Sequence, residues 1–264
     1  RAGDLLALKN GINQGVSALG GALSGISAIT AIANQLKGIA IAARGGAVTL
    51  MARRAERLEA LAAELGEGAR WFAVDVSEGA AQAAALDAAV EAGGPIDGLF
   101  LNAGTGGSFA AVEDYGEEAF AQVLNVNLTA PYRAIAQVLP AMKARGRGAI
   151  LVTGSLASER GMANNVAYVA SKHAVLGLAR AVALEAAPHS VRCNCVVPGF
   201  IDTEMFAALP PDALEQIAAR VPQGRTGSAE ELGAVAAFLL SDAASHVTGQ
   251  SLAVDGGVLG TLSV

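Results

Sequence analysis

The sequence is poor in aromatic residues, in cysteine and in clustered positive charge, and each shortage excludes a class of protein. Aromatic residues make up only 4% of the 264 residues, whereas alanine and glycine supply much of the 53% hydrophobic fraction, which favours tightly packed helices on a sheet. The net charge is -6 and the longest basic run is Arg53-Arg54. Nucleic-acid binding is therefore not expected, because neutralising phosphates requires a basic surface.

The two cysteines, Cys193 and Cys195, lie two residues apart in a predicted strand. Side chains at that spacing point to the same face and do not easily bridge each other. We interpret them as unpaired core thiols, which suit a reducing cytoplasm, and we expect a cytoplasmic protein. No metal site is expected.

Charge is also missing from one long segment, since no charged residue occurs between Asn10 and Leu36. Its length and its small-x-x-x-small spacing at Gly21 and Gly25 are compatible with a membrane span. Asparagine and glutamine within it are costly in lipid and leucine is scarce, so we prefer a buried first strand and helix and expect no membrane partner. The segment also lacks the basic start and compact apolar block of a secretory signal.

Beyond this segment, short apolar runs alternate with helical patterns. The predicted strands are Val48 to Met51, Trp71 to Val74, Gly98 to Leu101, Ala149 to Thr153, Val191 to Val197 and Ser251 to Val254. The predicted helices are Ala55 to Leu65, Ala80 to Glu91, Glu117 to Arg145, Val166 to Ala187 and Ala229 to Ser241. Such alternation predicts a single α/β domain over residues 1–264, a doubly wound Rossmann-like parallel sheet with helices on both faces. Ligands of such sheets bind beyond the carboxyl ends of the strands.

Four residues in a fixed order point to chemistry at a carbonyl oxygen: Asn127, Ser155, Tyr168 and Lys172. Lys172 lies four residues after Tyr168 on a predicted helix, so both side chains share a face. A phenol has an ordinary pKa of about 10, and a nearby cation favours the phenolate and lowers that pKa. Ser155, at a strand end, is placed to hydrogen-bond a substrate oxygen, and Asn127 to hold a water that links Lys172 to solvent.

This ordered set resembles the catalytic tetrad of the short-chain dehydrogenase/reductase family, and further motifs extend the resemblance over about residues 45–257. They are Asp75-Val76, Asn102-Ala103-Gly104, Gly224-Arg225 followed by Glu230-Glu231, Asp255-Gly256-Gly257, and Pro198-Gly199 with Ile201 and Thr203. The resemblance implies that Asp75-Val76 contacts the adenine ring and that Asn102-Ala103-Gly104 supports the sheet beside the cofactor. It also implies that the segment from Pro198 holds the nicotinamide carboxamide.

By the same resemblance, hydride passes between a nicotinamide cofactor and a carbonyl or alcohol carbon while Tyr168 handles the proton of the oxygen. Ser155 orients and polarises that oxygen, and Lys172 also binds the nicotinamide ribose. The sequence resembles 3-oxoacyl-carrier-protein reductases and related ketone reductases, so an apolar or acyl carbonyl or alcohol substrate is expected. Residues 200–225 are interpreted as a substrate lid. The family resemblance implies a homotetramer built by the two long helices and the last strand.

In this fold the residue at the end of the second strand decides the choice between NAD and NADP. If the amino-terminal segment supplies the first strand, the second is the predicted strand Val48 to Met51. An acidic residue there accepts the 2′-hydroxyl of NAD, whereas an arginine pairs with a 2′-phosphate. Ala52 occupies the acidic position and Arg53 follows it, which favours NADP(H) over NAD(H). The alternative is that Arg53 and Arg54 open a solvated helix.

The resemblance fails at the amino-terminal end, because the glycine-rich turn that approaches the cofactor pyrophosphate has no full copy in about residues 1–44. Gly11-x-x-x-Gly15-x-Ser17 and Gly21-x-x-x-Gly25-x-Ser27 each replace the third glycine by serine. Three explanations stay open: an insertion with a working imperfect turn, a foreign segment joined near Gly45, or a lost phosphate site. The last would leave a catalytically impaired scaffold or binding protein.

Overall fold

The computed structural model describes residues 47–202 and 211–261. Six parallel strands run through these residues: β1 (Val48–Ala52), β2 (Ala69–Ala73), β3 (Gly98–Leu101), β4 (Gly148–Thr153), β5 (Val191–Pro198) and β6 (Ser251–Val254). Within this part of the chain, hydrogen bonds join β1 to β2 and join the other four in the order β3-β4-β5-β6. The strands agree with the predicted ones to within two residues at each end.

Seven α-helices connect or flank the strands of the described residues. They are α1 (Ala55–Leu65), α2 (Gly79–Gly93), α3 (Glu117–Leu124), α4 (Ala130–Arg145), α5 (Val166–Ala186), α6 (Pro211–Ala218) and α7 (Ala229–Leu240). The predicted long helix from Glu117 to Arg145 is present, but a π-helical turn at Asn125–Thr129 separates α3 from α4. Helix α6 lies inside the segment that we interpret as a lid and was not expected from the sequence.

Apolar side chains from both faces of the sheet meet helices, which gives the three-layer architecture. Ile150 and Val152 of β4 pack on one side against α4 and α5, where Met142 and Val175 are fully buried. Leu151, between them in sequence, faces the other side and packs against α7. A strand whose successive residues are all buried requires cover on both faces, as parallel sheets have.

The two cysteines belong to β5 and are both buried and free. They lie in the cluster on the α4 and α5 side of the sheet, as their two-residue spacing predicts. Burial raises the pKa of Cys193 to about 12 and that of Cys195 to about 11. Both are therefore thiols at neutral pH and act as small apolar side chains.

Helix α7 begins with a complete capping box, which supports the interpretation of Gly224-Arg225 and Glu230-Glu231 as the lead into the last long helix. Ser228 accepts a hydrogen bond from the Glu231 amide, and the Glu231 carboxylate accepts one from the Ser228 amide. Arg225 also makes two hydrogen bonds to that carboxylate, at 2.9 and 2.7 Å. Its guanidinium lowers the pKa of Glu231 to about 2.

Across the described ranges, no helix is both long enough and apolar enough to span a membrane. The uncharged segment from Asn10 to Leu36, with both imperfect glycine motifs, lies outside these ranges, as does Thr203.

Candidate active site

Predicted site residues follow the carboxyl ends of parallel strands in both the two-stranded and the four-stranded sheet, where the strands end with polar or glycine-containing sequences. Asp75 follows β2, Asn102 follows β3, Ser155 follows β4, and Gly199 follows β5. Lys172 reaches the carboxyl end of β4 from α5, since its ammonium group touches the last residue of β4. The carboxyl edge of such a sheet is the general place for a ligand.

Lys172 is buried, with 5% of its surface exposed, although it carries an ionisable amine. Its Nζ donates a hydrogen bond to the Thr153 carbonyl oxygen at 2.8 Å and lies 5.7 Å from the centre of the Tyr168 ring. Burial lowers the pKa of Lys172 from 10.5 to about 8, and the nearby Cys195 opposes part of that shift. A lysine poised near neutrality can gain or lose a proton during a reaction.

Tyr168 and Ser155 form the second part of the site. Ser155 is extended and caps a short 3₁₀ turn, so its Oγ accepts from the Ala157 amide at 3.2 Å while its own amide donates to Ser158 Oγ at 3.0 Å. Burial raises the pKa of Tyr168 above 10, and a hydrogen bond with the Ser155 side chain offsets part of this rise. In this structure burial dominates at the phenol, and the lowering of the Tyr168 pKa by Lys172 stays a prediction. Tyr168 is therefore a protonated phenol near neutral pH.

Asn127 lies in the π-helical turn and is buried, with 2% of its surface exposed. Its Oδ1 accepts from the Thr105 amide at 2.7 Å, and its Nδ2 donates to the Thr105 carbonyl at 2.9 Å and to Ser171 Oγ at 3.0 Å. The side chain therefore ties the loop after β3 to α5. π-Helical turns often occur at functional sites, since they redirect one residue within a helix. Water binding by Asn127 stays a prediction, for which Oδ1 has a second lone pair.

Gly104 lies beside both Asn127 and Lys172. A Cβ placed on Gly104 would lie 3.3 Å from Asn127 Oδ1 and 3.6 Å from Lys172 Nζ. The backbone at Gly104 thus runs directly beside the amide and the ammonium group. A Cβ there would be tight against the Asn127 amide oxygen and in ordinary contact with the Lys172 ammonium group.

Three residues that the sequence analysis did not single out complete this network. Thr153 accepts from Lys172 with its carbonyl and donates from Oγ1 to Asn102 Oδ1 at 2.7 Å. Ser171 accepts from Asn127 and donates to the Tyr168 carbonyl at 2.8 Å. Thr105 pairs with Asn127 through its backbone. Only Ser171 had a sequence signal, since it stands directly before Lys172 on the same helix.

Arg53 and Asp75 stand side by side where β1 and β2 end. The Arg53 guanidinium lies 3.9 Å from the Asp75 carboxylate, and both side chains are about half exposed, at 54% and 41%. Asp75 Oδ1 accepts from the amide of Ser77 at 2.9 Å and from its hydroxyl at 2.7 Å. Burial raises the pKa of Asp75, but the Ser77 hydrogen bonds and Arg53 outweigh it and leave that pKa below its ordinary value.

The segment after β5 comes close to the carboxyl end of β6. A Cβ on Gly199 would lie 2.6 Å from the Asp255 Cα, so only glycine fits this contact. The Gly199 amide donates to the Val254 carbonyl at 2.9 Å, and Ile201 pairs with Gly227 through an isolated bridge. Pro198, Gly199 and Ile201 therefore lie at the expected edge.

The fold and this cluster define a Rossmann-like α/β protein with a Tyr–Lys pair at its ligand-binding edge. A family model described as enoyl-(acyl carrier protein) reductase matches residues 21–259. The cis-4-hydroxycyclohexanecarboxylate dehydrogenase of Sinomonas cyclohexanicum is 37% identical over 92% of this chain and 95% of its own length. The cyclohexanol dehydrogenase of Acinetobacter sp. (strain SE19) is 36% identical over 94% and 96%. The chain belongs to the short-chain dehydrogenase/reductase family, whose members similar to it are oxidoreductases acting on a CH–OH or C=O group.

Solved structures agree with this assignment. Levodione reductase superposes with a TM-score of 0.81 at 33% identity, over 87% of this chain and 94% of the other. An NAD+-bound xylitol dehydrogenase gives 0.77 at 33% identity, over 85% and 94%. A gluconate 5-dehydrogenase from Burkholderia cenocepacia J2315, in complex with NADP and tartrate, gives 0.78 at 31% identity, over 87% and 91%. These neighbours include both dinucleotides, so they do not decide the preference of this chain.

Proposed function

We propose that the protein is an NADP(H)-dependent dehydrogenase/reductase that interconverts an apolar secondary alcohol and its ketone, with Tyr168 as the proton donor and acceptor. The observation that carries the proposal is the buried Lys172 ammonium group, 5.7 Å from the Tyr168 ring centre, with the Ser155 side chain close enough to the phenol to lower its pKa. Burying an ionisable amine costs folding free energy, which favours a functional role for Lys172.

The side chains divide the proton chemistry among them. Ser155 orients the substrate oxygen, and the protonated Tyr168 gives it a proton when a ketone is reduced. In the reverse direction Tyr168 receives that proton, and Lys172 stabilises the phenolate that Tyr168 becomes after giving up its proton. Asn127 shapes this site by holding Thr105, and we propose that it also holds the water that links Lys172 to solvent. The bound nicotinamide supplies or accepts the hydride.

The described edge fits an extended dinucleotide. Gly104 and Gly199 carry no side chain that would obstruct a dinucleotide, and we propose that Asp75-Val76 contacts its adenine end. Lys172 has two ammonium hydrogens beyond the one bonded to Thr153, which suits ribose hydroxyl groups. We propose that Ala103 and Ile201 line the same path.

Preference for NADP(H) follows from Arg53 in this proposal. Its guanidinium is 54% exposed at the end of β1, where Ala52 offers no carboxylate to a 2′-hydroxyl. The 3.9 Å pair with Asp75 is a weak surface contact, so it does not prevent Arg53 from meeting a 2′-phosphate.

A cyclic secondary alcohol or its ketone is the substrate class that the relatives favour, since their names include 4-hydroxycyclohexanecarboxylate and cyclohexanol. Tyr115 is buried in one cluster with Ala167, the residue before Tyr168, and its ring centroid lies 6.5 Å from that of Phe120. Gly107 lies so close to the Tyr115 hydroxyl that no Cβ fits there. These side chains give the loop after β3 an apolar wall.

The test is a pair of binding isotherms, for NADPH and for NADH, on the purified full chain, followed by turnover of cyclohexanol and cyclohexanone. NADPH-selective binding with turnover of either ring substrate supports the proposal. Binding without turnover would reject the ring substrates while leaving dinucleotide binding intact. No binding of either dinucleotide would favour the alternative, a catalytically impaired scaffold.

Assembly into a homotetramer is part of the proposal, and the outer face of α5 supports it. Gly177, Ala181 and Leu184 are exposed on one stripe of that helix, and Leu184 is 79% exposed. Among the described residues, a Cβ on Gly177 would meet no atom within 4 Å, so packing within this part of the chain does not require the glycine. Glycine inside a helix costs about 1 kcal/mol relative to alanine, and close approach of a second helix would offset that cost.

A further inference from the structure

Arg133, which is not a predicted site residue, makes four side-chain hydrogen bonds to described residues near the carboxyl end of β2 and the π-helical turn. Arg133 lies in the first turn of α4 and is half-buried. Its Nη2 donates to the Val76 carbonyl at 2.8 Å and to the Ser77 carbonyl at 3.2 Å, and its Nη1 donates to Asn125 Oδ1 at 3.2 Å. Its Nε donates to Gln82 Oε1 at 3.3 Å.

These hydrogen bonds connect the loop after β2 with the π-helical turn at Asn125–Thr129. Asn125 begins the π-helical turn that contains Asn127, and its Nδ2 donates to the Ser77 carbonyl at 3.1 Å. Arg133 therefore grips the loop after β2 and the π-helical turn at once. On the other side, the loop is fixed by the Asp75 carboxylate, which accepts from the amide and the hydroxyl of Ser77.

Helix α2 packs beside Arg133 and leaves space for its side chain. A Cβ on Gly79, the first residue of α2, would lie 3.3 Å from Cδ and Nε of Arg133. Gln82 is 5% exposed and donates from Nε2 to the Ala130 carbonyl at 3.0 Å, which fixes α2 against the start of α4. The acceptors of Arg133 named above are neutral oxygens, so its planar fork acts by geometry rather than as half of an ion pair.

We propose that Arg133 is a positioning residue for the adenine half of the cofactor: it holds the loop Asp75-Val76-Ser77 at a fixed place relative to the π-helical turn. The proposal rests on the proposed function, in which this loop contacts the adenine ring. Arg133 itself touches two backbone carbonyls and two amide side chains, so its effect on the ligand passes through the loop.

The test compares Arg133→Lys with Arg145→Lys on the full-length chain. Arg145 is a matched control, because it lies on the same helix and its guanidinium also binds a backbone carbonyl, that of Ile96 at 2.6 Å. Lysine keeps the charge but cannot form the planar fork. The probes, measured by titration calorimetry, are ADP-ribose, its 2′-phosphorylated form and nicotinamide mononucleotide.

We expect Arg133→Lys to weaken the tighter of the two adenine-containing probes by about tenfold, with nicotinamide mononucleotide changed less than about twofold and Arg145→Lys without effect on either. Equal weakening of both halves, an unchanged adenine half, or the same loss in Arg145→Lys would overturn the proposal. If Arg133→Lys does not fold, Asn125→Ala decides, because it removes hydrogen bonds between the same two segments and should weaken the same half. Unmodified protein that binds neither NADPH nor NADH would reject the proposed function and this inference together, whereas failure confined to the variants rejects only the inference.

Discussion

Replacing Lys172 by methionine should abolish turnover and also change how the stability of the fold depends on pH. Burial lowers the pKa of Lys172 to about 8, whereas the unfolded chain keeps the ordinary value of 10.5. Between these two values the unfolded chain holds a proton that the folded chain has lost, so the free energy of unfolding rises with pH in that window. Below about pH 8 the folded protein carries the full cost of a buried ammonium group.

The size of the effect follows from the two pKa values. Integrated from about pH 7 to about pH 10, the parent protein should gain on the order of 2 to 3 kcal/mol of stability relative to Lys172→Met. The comparison with the variant is needed because Cys193 and Cys195 act in the opposite direction. Burial raises their pKa values, so they lower stability as pH rises above their ordinary range. The parent protein and Lys172→Met both keep these thiols, so the difference between their unfolding free energies removes most of the contribution of the cysteines.

The assay is urea unfolding of both proteins at several pH values across this range, with Lys143→Met on α4 as the control for loss of an ammonium group elsewhere. The difference in unfolding free energy between parent and Lys172→Met should grow in favour of the parent as pH rises. A difference that is flat, or that moves in favour of the variant, would refute the argument that the lysine is strongly desolvated.

Three further substitutions test the proposed roles. Tyr168→Phe should lower kcat by at least about a hundredfold with cofactor affinity nearly unchanged, because only the proton carrier is lost. The control Tyr132→Phe, at an exposed position, should leave kcat as it is. Steady-state kinetics and fluorescence titration measure both effects, and substantial remaining turnover would show that Tyr168 is not the proton carrier. Arg53→Ala should weaken NADPH by about tenfold or more and NADH little, whereas Arg147→Ala at the opposite edge should affect neither; equal losses for both dinucleotides would contradict a 2′-phosphate contact. Leu184→Asp should shift the oligomer toward smaller species by light scattering, since it places a charge on the apolar face of α5, and an unchanged mass would remove α5 from the interface.

The strands and most helices could be predicted because local signals mark both ends. β3 and β6 have the predicted ends, since a short apolar run is bounded by glycine or polar residues on each side. Helix α6 escaped prediction because it has only eight residues and begins at the second residue of Pro210-Pro211. The π-helical turn at Asn125–Thr129 has no sequence signature, because its hydrogen bonds depend on the packing around Asn127.

The candidate site divides in the same way. Spacing predicts that Tyr168 and Lys172 share a helix face, because four residues make about one helical turn. Spacing cannot predict that the Asn127 side-chain amide hydrogen-bonds the backbone of Thr105, 22 residues away, since that contact depends on the tertiary fold. Nor could it find Arg133, whose acceptors at Val76 and Ser77 are backbone oxygens without a side-chain pattern.

The partner of Lys172 explains how a low pKa and a fixed position coexist. Among the residues that the structure describes, burial and Cys195 account for the shift, and no carboxylate contributes. A carboxylate beside Nζ would hold the pKa high and keep the ammonium group in an ion pair, away from a reacting oxygen. The neutral Thr153 carbonyl fixes the direction of the side chain with one hydrogen bond and leaves two donors, while the Thr153 hydroxyl ties the same strand end to Asn102. An oriented ammonium group without a countercharge stabilises negative charge only when it develops on a neighbouring oxygen, which is the requirement for a catalytic lysine beside a tyrosine.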